Sequence, residues 1–175
     1  MMNRFLLIAS LLMVLFSCSS AKKMGTPDYV VVQDSETKVL KGILSRSLIE
    51  NDTSFAWFKE NMQYGRVDES AAAIFRQKSG LFSILVFGGT WCHDTENLLP
   101  KFYRLIDKSG IPANLVTLIG VDRQKKTLHN LQVKWNVTHT PTFIIVKEGK
   151  EFGRVVEYGK TGDIEKELGE IVARL

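Results

Sequence analysis

Apolar residues along this chain fall into runs of three kinds. From Phe5 to Phe16 every position except Ser10 is apolar, a stretch of twelve residues near the start. Short runs rich in branched and aromatic side chains follow later: Phe82-Ser83-Ile84-Leu85-Val86-Phe87, Leu115 to Val121, Phe143-Ile144-Ile145-Val146 and Phe152 to Val156. Their length and composition predict strands, the last two joined as a hairpin around Glu148-Gly149-Lys150. Val39 to Leu44 is a further short strand candidate, and Tyr29-Val30-Val31-Val32 offers an edge strand. The third kind recurs at helical spacing. Leu98, Phe102, Leu105 and Ile106 share one face, as do Ile164, Leu168, Ile171 and Val172 after Gly162-Asp163. Phe55, Phe58 and Met62 follow the capping oxygens of Asp52-Thr53-Ser54, and Ala71, Ile74 and Phe75 follow Asp68. Leu128 to Trp135 predicts a short helix, with His129 a structural residue inside it.

From Leu81 onward the order is β-α-β-α-β-β-α, parallel strands first and a hairpin last. That order predicts a three-layer α/β sandwich with a mixed central sheet. Two helices precede the first strong strand, so residues 39–66 read as an N-terminal helical and strand addition.

The first apolar run is too short for a mature membrane span, and the single Arg4 before it fits a secretory signal. The run ends Leu15-Phe16-Ser17-Cys18, which resembles a bacterial lipobox. Residues 1–17 are therefore expected to be a lipoprotein-type signal peptide, Cys18 the lipidated residue, and 18–38 a tether. The alternative is an ordinary cleaved signal with Cys18 incidental. Ser19 after Cys18, in place of Asp, points to the outer membrane of a bacterial envelope, with the domain facing the periplasm. Cleavage removes Arg4 alone among the charged residues. The 23 basic and 19 acidic side chains become 22 and 19, too even a balance for a nucleic-acid surface. The 158 residues left are enough for one domain with a proper core.

Acylation of Cys18 would also leave Cys92 alone, either reactive or buried, with no intramolecular disulfide open to it. Cys92 lies in Thr90-Trp91-Cys92-His93-Asp94-Thr95, between a strand and a helix. Thr140-Pro141-Thr142 precedes the next strand. Pro100 comes eight residues after Cys92, Asp122 ends the intervening strand, and Gly159 follows the hairpin. Together these offsets resemble the thioredoxin family over about residues 68–175, which sets a thioredoxin-like domain at 67–175. The Trp-Cys-x-Asp-Thr motif also resembles lipid-anchored thioredoxin-like proteins of Bacteroidetes-type bacteria. The resemblance implies a thioredoxin-like sandwich and a cis Thr140-Pro141 peptide facing the Cys92 sulfur. It also implies a protein or peptide disulfide as substrate and an external thiol as reductant, without a cofactor.

The departures are as informative. Where the family carries its second cysteine this chain has Thr95. The family's buried Asp and its Lys partner are replaced by Val86 and Leu118. Without a resolving thiol the proton relay has nothing to serve, so the three losses are coherent. Cys92 at a helix start meets amides and a dipole that favour a thiolate. Thr95, one turn on, is expected to turn its hydroxyl back toward the sulfur; the alternative is a decayed redox site. Cys92 and Thr95 are thus the candidate catalytic pair. Trp91, His93, Asp94, His139, Thr140 and Pro141 are candidate substrate contacts, with Asp94 turned outward and the two histidines on a solvated rim. No metal is expected, since none of Cys92, His93, Asp94 and His139 pair at recognised ligand spacing. A binding module that kept the groove and lost catalysis is the rival reading.

Overall fold

The computed structural model describes residues 28–175. The expected signal peptide and the lipidation site Cys18 lie outside the described residues.

One six-stranded sheet organises the domain, in the order β1-β2-β4-β3-β5-β6. The strands are β1 (Tyr29–Val32), β2 (Val39–Leu44), β3 (Ser83–Gly88), β4 (Val116–Gly120), β5 (Thr142–Lys147) and β6 (Lys150–Val156). Only β3 and β4 run parallel; every other neighbouring pair is antiparallel. A parallel pair needs a crossover, supplied by α4 (His93–Ser109) between β3 and β4. The remaining helices are α1 (Arg46–Glu50), α2 (Ala56–Asn61), α3 (Glu69–Gln77), α5 (Leu131–Lys134) and α6 (Ile164–Ala173).

Several helix boundaries follow local chemistry. Asp52 accepts from Ser54 N–H, Asp68 from Ala71 N–H and Asp163 from Lys166 N–H, each at the start of a helical segment. Gly110 ends α4 in the left-handed conformation at φ 69°, which glycine adopts without side-chain strain. Two elements depart from expectation. Helix α1, capped by Ser45, is too short to leave a periodic signal. The segment from Leu128 is a 3-10 turn followed by the one-turn α5, with His129 and Asn130 at positive φ. His129 is exposed and lies before α5.

The main core lies between the sheet and α2, α3, α4 and α6. Phe58, Phe75, Phe102 and Phe143 are fully buried there, with Phe102 and Phe143 5.1 Å apart across the helix–sheet interface. Each ring so buried contributes about 1.5–3 kcal/mol relative to exposure. The opposite face carries a smaller cluster around Phe87, Ile119, Val121 and Ile144, covered by Leu131, Trp135 and Trp91. The outer layer on that side is thin.

Residues of the expected tether and addition enter the sheet directly. Tyr29–Val32, within 18–38, pairs with β2, and β2 pairs with β4 through Gly42, Ile43 and Leu44.

One buried carboxylate joins two helix starts. Glu165, 1% exposed in α6, accepts from Asp68 N–H at 2.6 Å, and its Oε1 is buried without a protein partner. Burial pushes its carboxyl above the usual range. The unfolded chain then ionises first, so this group takes stability away as pH rises from the ordinary glutamate range through the folded value. Glu165→Gln is expected to raise Tm relative to wild type at neutral pH, with the difference vanishing below about pH 4. Paired melting curves check this; a difference independent of pH contradicts it.

Candidate functional site

The carboxyl end of the central parallel pair carries the candidate site. Strand β3 ends at Gly88, and a tight turn through Gly89, Thr90 and Trp91 delivers Cys92 to the N-cap position of α4. Cys92 N–H donates to Gly89 O at 3.0 Å, and Cys92 O accepts the first helical bond from Glu96 N–H at 3.0 Å. The sulfur is half-buried and donates to the Thr140 carbonyl at 3.4 Å. The Thr140-Pro141 peptide is cis, and the contact of its Thr140 carbonyl with the sulfur sets the segment before β5 across from the α4 N-terminus. Cys92 is the one free cysteine among the described residues.

Trp91 walls one side. Its indole N–H donates to Val121 O at 3.0 Å, and its ring lies against Gly89, where any Cβ would stand 2.7 Å from the indole. The Arg123 guanidinium sits 5.5 Å from the ring centre on the outer side. Arg123 in turn binds Asp34 and Glu36 in the β1–β2 turn, and it holds the Asp34 carboxyl well below the usual carboxylate range. Asp122 is buried, which opposes its charge. The bond from Lys41 Nζ at 2.7 Å and the Lys126 amide outweigh that and hold its carboxyl low.

Thr95 differs from expectation. It is 2% exposed, and its Oγ1 accepts from Gly89 N–H at 3.2 Å, so its hydrogen bond serves the turn rather than the sulfur. The backbone of that turn needs an acceptor, and the nearest hydroxyl supplies it. The exposed rim is formed by His93 and His139. The His93 side chain is 93% exposed, with Nδ1 3.2 Å from Glu96 Oε2, and His139 Nδ1 meets Thr138 Oγ1 at 2.9 Å. Asp94 is half-buried at the helix start instead of fully outward. Thr140 and Pro141 are both buried, so the exposed part of this edge is Thr138 and His139. Val86 and Leu118 pair directly across β3 and β4 and are buried in the main core, a wholly apolar setting.

Several site neighbours escaped sequence reasoning. Thr90 is buried beside the cysteine turn, Arg123 lies over Trp91, and farther along α4 Asn97 Nδ2 donates to the Tyr158 hydroxyl at 3.2 Å. Their partners are tens of residues distant, and no local pattern announces such a pairing.

This arrangement of a cysteine at the start of α4, opposite a cis-proline segment in a mixed sheet, is a thioredoxin-like fold. The chain is similar in sequence to plant thioredoxins. Thioredoxin H2 of Arabidopsis thaliana is 28% identical over 97 residues, which cover 55% of this chain and 68% of that protein. Thioredoxin H-type of Picea mariana is 31% identical over 87 residues, 50% of this chain and 64% of that one. Among solved structures, Fasciola hepatica thioredoxin is 26% identical with a TM-score of 0.40, covering 58% of this chain and 86% of that one. No family model matches the chain.

Proposed function

We propose that this protein is an exported, lipid-anchored, thioredoxin-fold protein that exchanges thiols and disulfides through the single sulfur of Cys92. The observation that carries the reading is the half-exposed Cys92 thiol, held at a helix N-terminus 3.4 Å from the Thr140 carbonyl. The thiolate attacks one sulfur of a protein or peptide disulfide. That disulfide breaks, a Cys92–substrate disulfide forms, and the other substrate sulfur leaves as a thiolate. An external small thiol then attacks the mixed disulfide at the substrate sulfur, which frees Cys92 and leaves the substrate joined to the small thiol. An extended peptide approaches along the Thr138–His139 edge beside the cis proline, in the manner of an added strand. Cys92 and Thr95 keep separate roles here: the sulfur reacts, and the buried hydroxyl holds the turn.

A second reading has its own support. The absence of a second thiol at Thr95, with Val86 and Leu118 in the relay positions, also suits a module that binds peptides without turnover. The insulin-disulfide assay with a small thiol as reductant separates the two. Catalytic reduction that requires Cys92 supports exchange. Binding of reduced and oxidised insulin alike, with no turnover and no adduct on Cys92, supports the module.

The anchoring proposal rests on Leu15-Phe16-Ser17-Cys18 and the Arg4-led apolar run before it. It sets the domain facing the periplasm of a bacterial envelope, in the manner of the lipid-anchored Bacteroidetes-type proteins it resembles, with Ser19 favouring the outer membrane. Cys18→Ala is expected to move the protein from the membrane to the soluble fraction and to remove the mass of the acyl chains. Unchanged fractionation and mass contradict the anchor.

A further inference from the structure

Thr90 stands two residues before Cys92 and is 4% exposed. Its Oγ1 accepts from Leu40 N–H at 3.1 Å and donates to Lys38 O at 2.9 Å. One hydroxyl therefore takes both an acceptor and a donor role with backbone groups fifty and fifty-two residues away in sequence. The position of those groups gives the contact its meaning. Strand β2 pairs with β4 only from Gly42 onward, opposite Gly120, so Val39 to Lys41 and the turn before them reach past the end of β4. That end of the sheet is where Cys92 stands.

Two more contacts tie the same hairpin to the same place. Lys41 Nζ lies 2.7 Å from Asp122 Oδ2, in the loop just after β4. Arg123, one residue on, is gripped by Asp34 and Glu36 while it covers Trp91. Trp91 closes the ring through Val121 O. The β1–β2 hairpin thus touches both shoulders of the cysteine turn, one through Thr90 and the other through Trp91.

We propose that Thr90 is a positioning residue for Cys92, and that the β1–β2 hairpin is through it a working part of the site. This rests on the exchange reading above for its chemical purpose, because attack on a disulfide needs three sulfurs nearly in line. A small displacement of the attacking atom is costly in rate. The other restraints on the turn are Cys92 N–H on Gly89 O, Gly89 N–H on Thr95 Oγ1, the Trp91 indole on Val121 O, and the weak sulfur contact to Thr140 O. The two backbone bonds through Thr90 are the ones that connect this turn to β2 and to Lys38 just before it.

Thr90→Val removes both bonds at nearly constant shape, and Thr90→Ser restores the hydroxyl. The first readout is amide hydrogen exchange at Cys92. The second is the rate at which Cys92 releases a coloured thiolate from an aromatic disulfide, with one mixed disulfide formed for each thiolate released. In Thr90→Val the Cys92 amide is expected to exchange faster, and the thiolate to be released more slowly, each by about tenfold or more. Thr90→Ser is expected to stay within about twofold of wild type on both. A folded Thr90→Val protein with wild-type amide exchange overturns the proposal, as does a serine variant that fails equally. If Thr90→Val does not fold, Asp34→Ala loosens the hairpin from its turn without touching Thr90. It should shift both readings in the same direction by a smaller factor, and no shift overturns the proposal. Wild-type protein that releases no thiolate sinks the exchange reading instead, while the amide rates still decide the role of Thr90.

Discussion

Cys92→Ser is expected to abolish every covalent capture of a disulfide-bearing partner while leaving the fold in place. The sulfur makes one weak bond, to Thr140 O at 3.4 Å, and a serine hydroxyl can donate to the same carbonyl. A half-exposed exchange of this size belongs to the small class of stability effects, within about 1 kcal/mol. Chemistry behaves differently, because an alkoxide is not accessible to serine in this setting and no other cysteine is present among the described residues. The expected result is therefore a complete loss of mixed disulfides in a protein whose melting temperature barely moves. The measurement is a pair: adduct formation by intact mass and thermal unfolding by circular dichroism. Residual adducts in the variant would place the reactive sulfur elsewhere, while a large fall in Tm would make Cys92 chiefly a packing residue.

Thr95→Cys has the second large expected effect, in the opposite direction. It supplies the thiol that could resolve a Cys92 mixed disulfide, so insulin reduction should rise above wild type and no longer depend on a small thiol for each release. Recovery should nevertheless stay partial. The side chain at 95 is 2% exposed and faces Leu44, Ile49, Trp57, Leu99 and Leu118. An apolar setting disfavours the thiolate that must attack. Val86 and Leu118 provide no carboxylate to accept its proton and no cationic side chain to steady the thiolate. The substitution also removes the oxygen that accepts from Gly89 N–H, a loss of about 1 kcal/mol in stability. Steady-state insulin reduction and chemical denaturation measure the two halves. Full dithiol activity would mean that the buried apolar surroundings are no obstacle; no gain at all would mean that position 95 cannot reach the sulfur.

The strands and helices that build the sheet were legible because their apolar periods are strong. Phe82 to Phe87, Leu98 to Ile106 and Ile164 to Val172 each bury the residues their spacing selects. The Cys92 and Thr140-Pro141 juxtaposition was legible only through resemblance, since no periodicity brings together residues 48 positions apart. Thr95 shows where local inference fails. Helical spacing correctly put it one turn beyond Cys92, but the competition for its hydroxyl is decided by an unsatisfied turn amide that sequence does not reveal. The hairpin's grip on Thr90, Asp122 and Arg123 was illegible for the same reason. Each contact joins a residue before position 42 to one beyond position 89, and short valine-rich strands in a polar stretch look like part of a linker until their partners are known.

The most direct test of the single-sulfur account is intact-mass analysis of the folded mature protein after brief exposure to an excess of a peptide disulfide. The account predicts one adduct per chain, mapped to Cys92, that persists until a small thiol is added and then disappears. Absence of that adduct in the folded protein, when the unfolded chain forms it readily, would contradict the account and leave a peptide-binding module in its place.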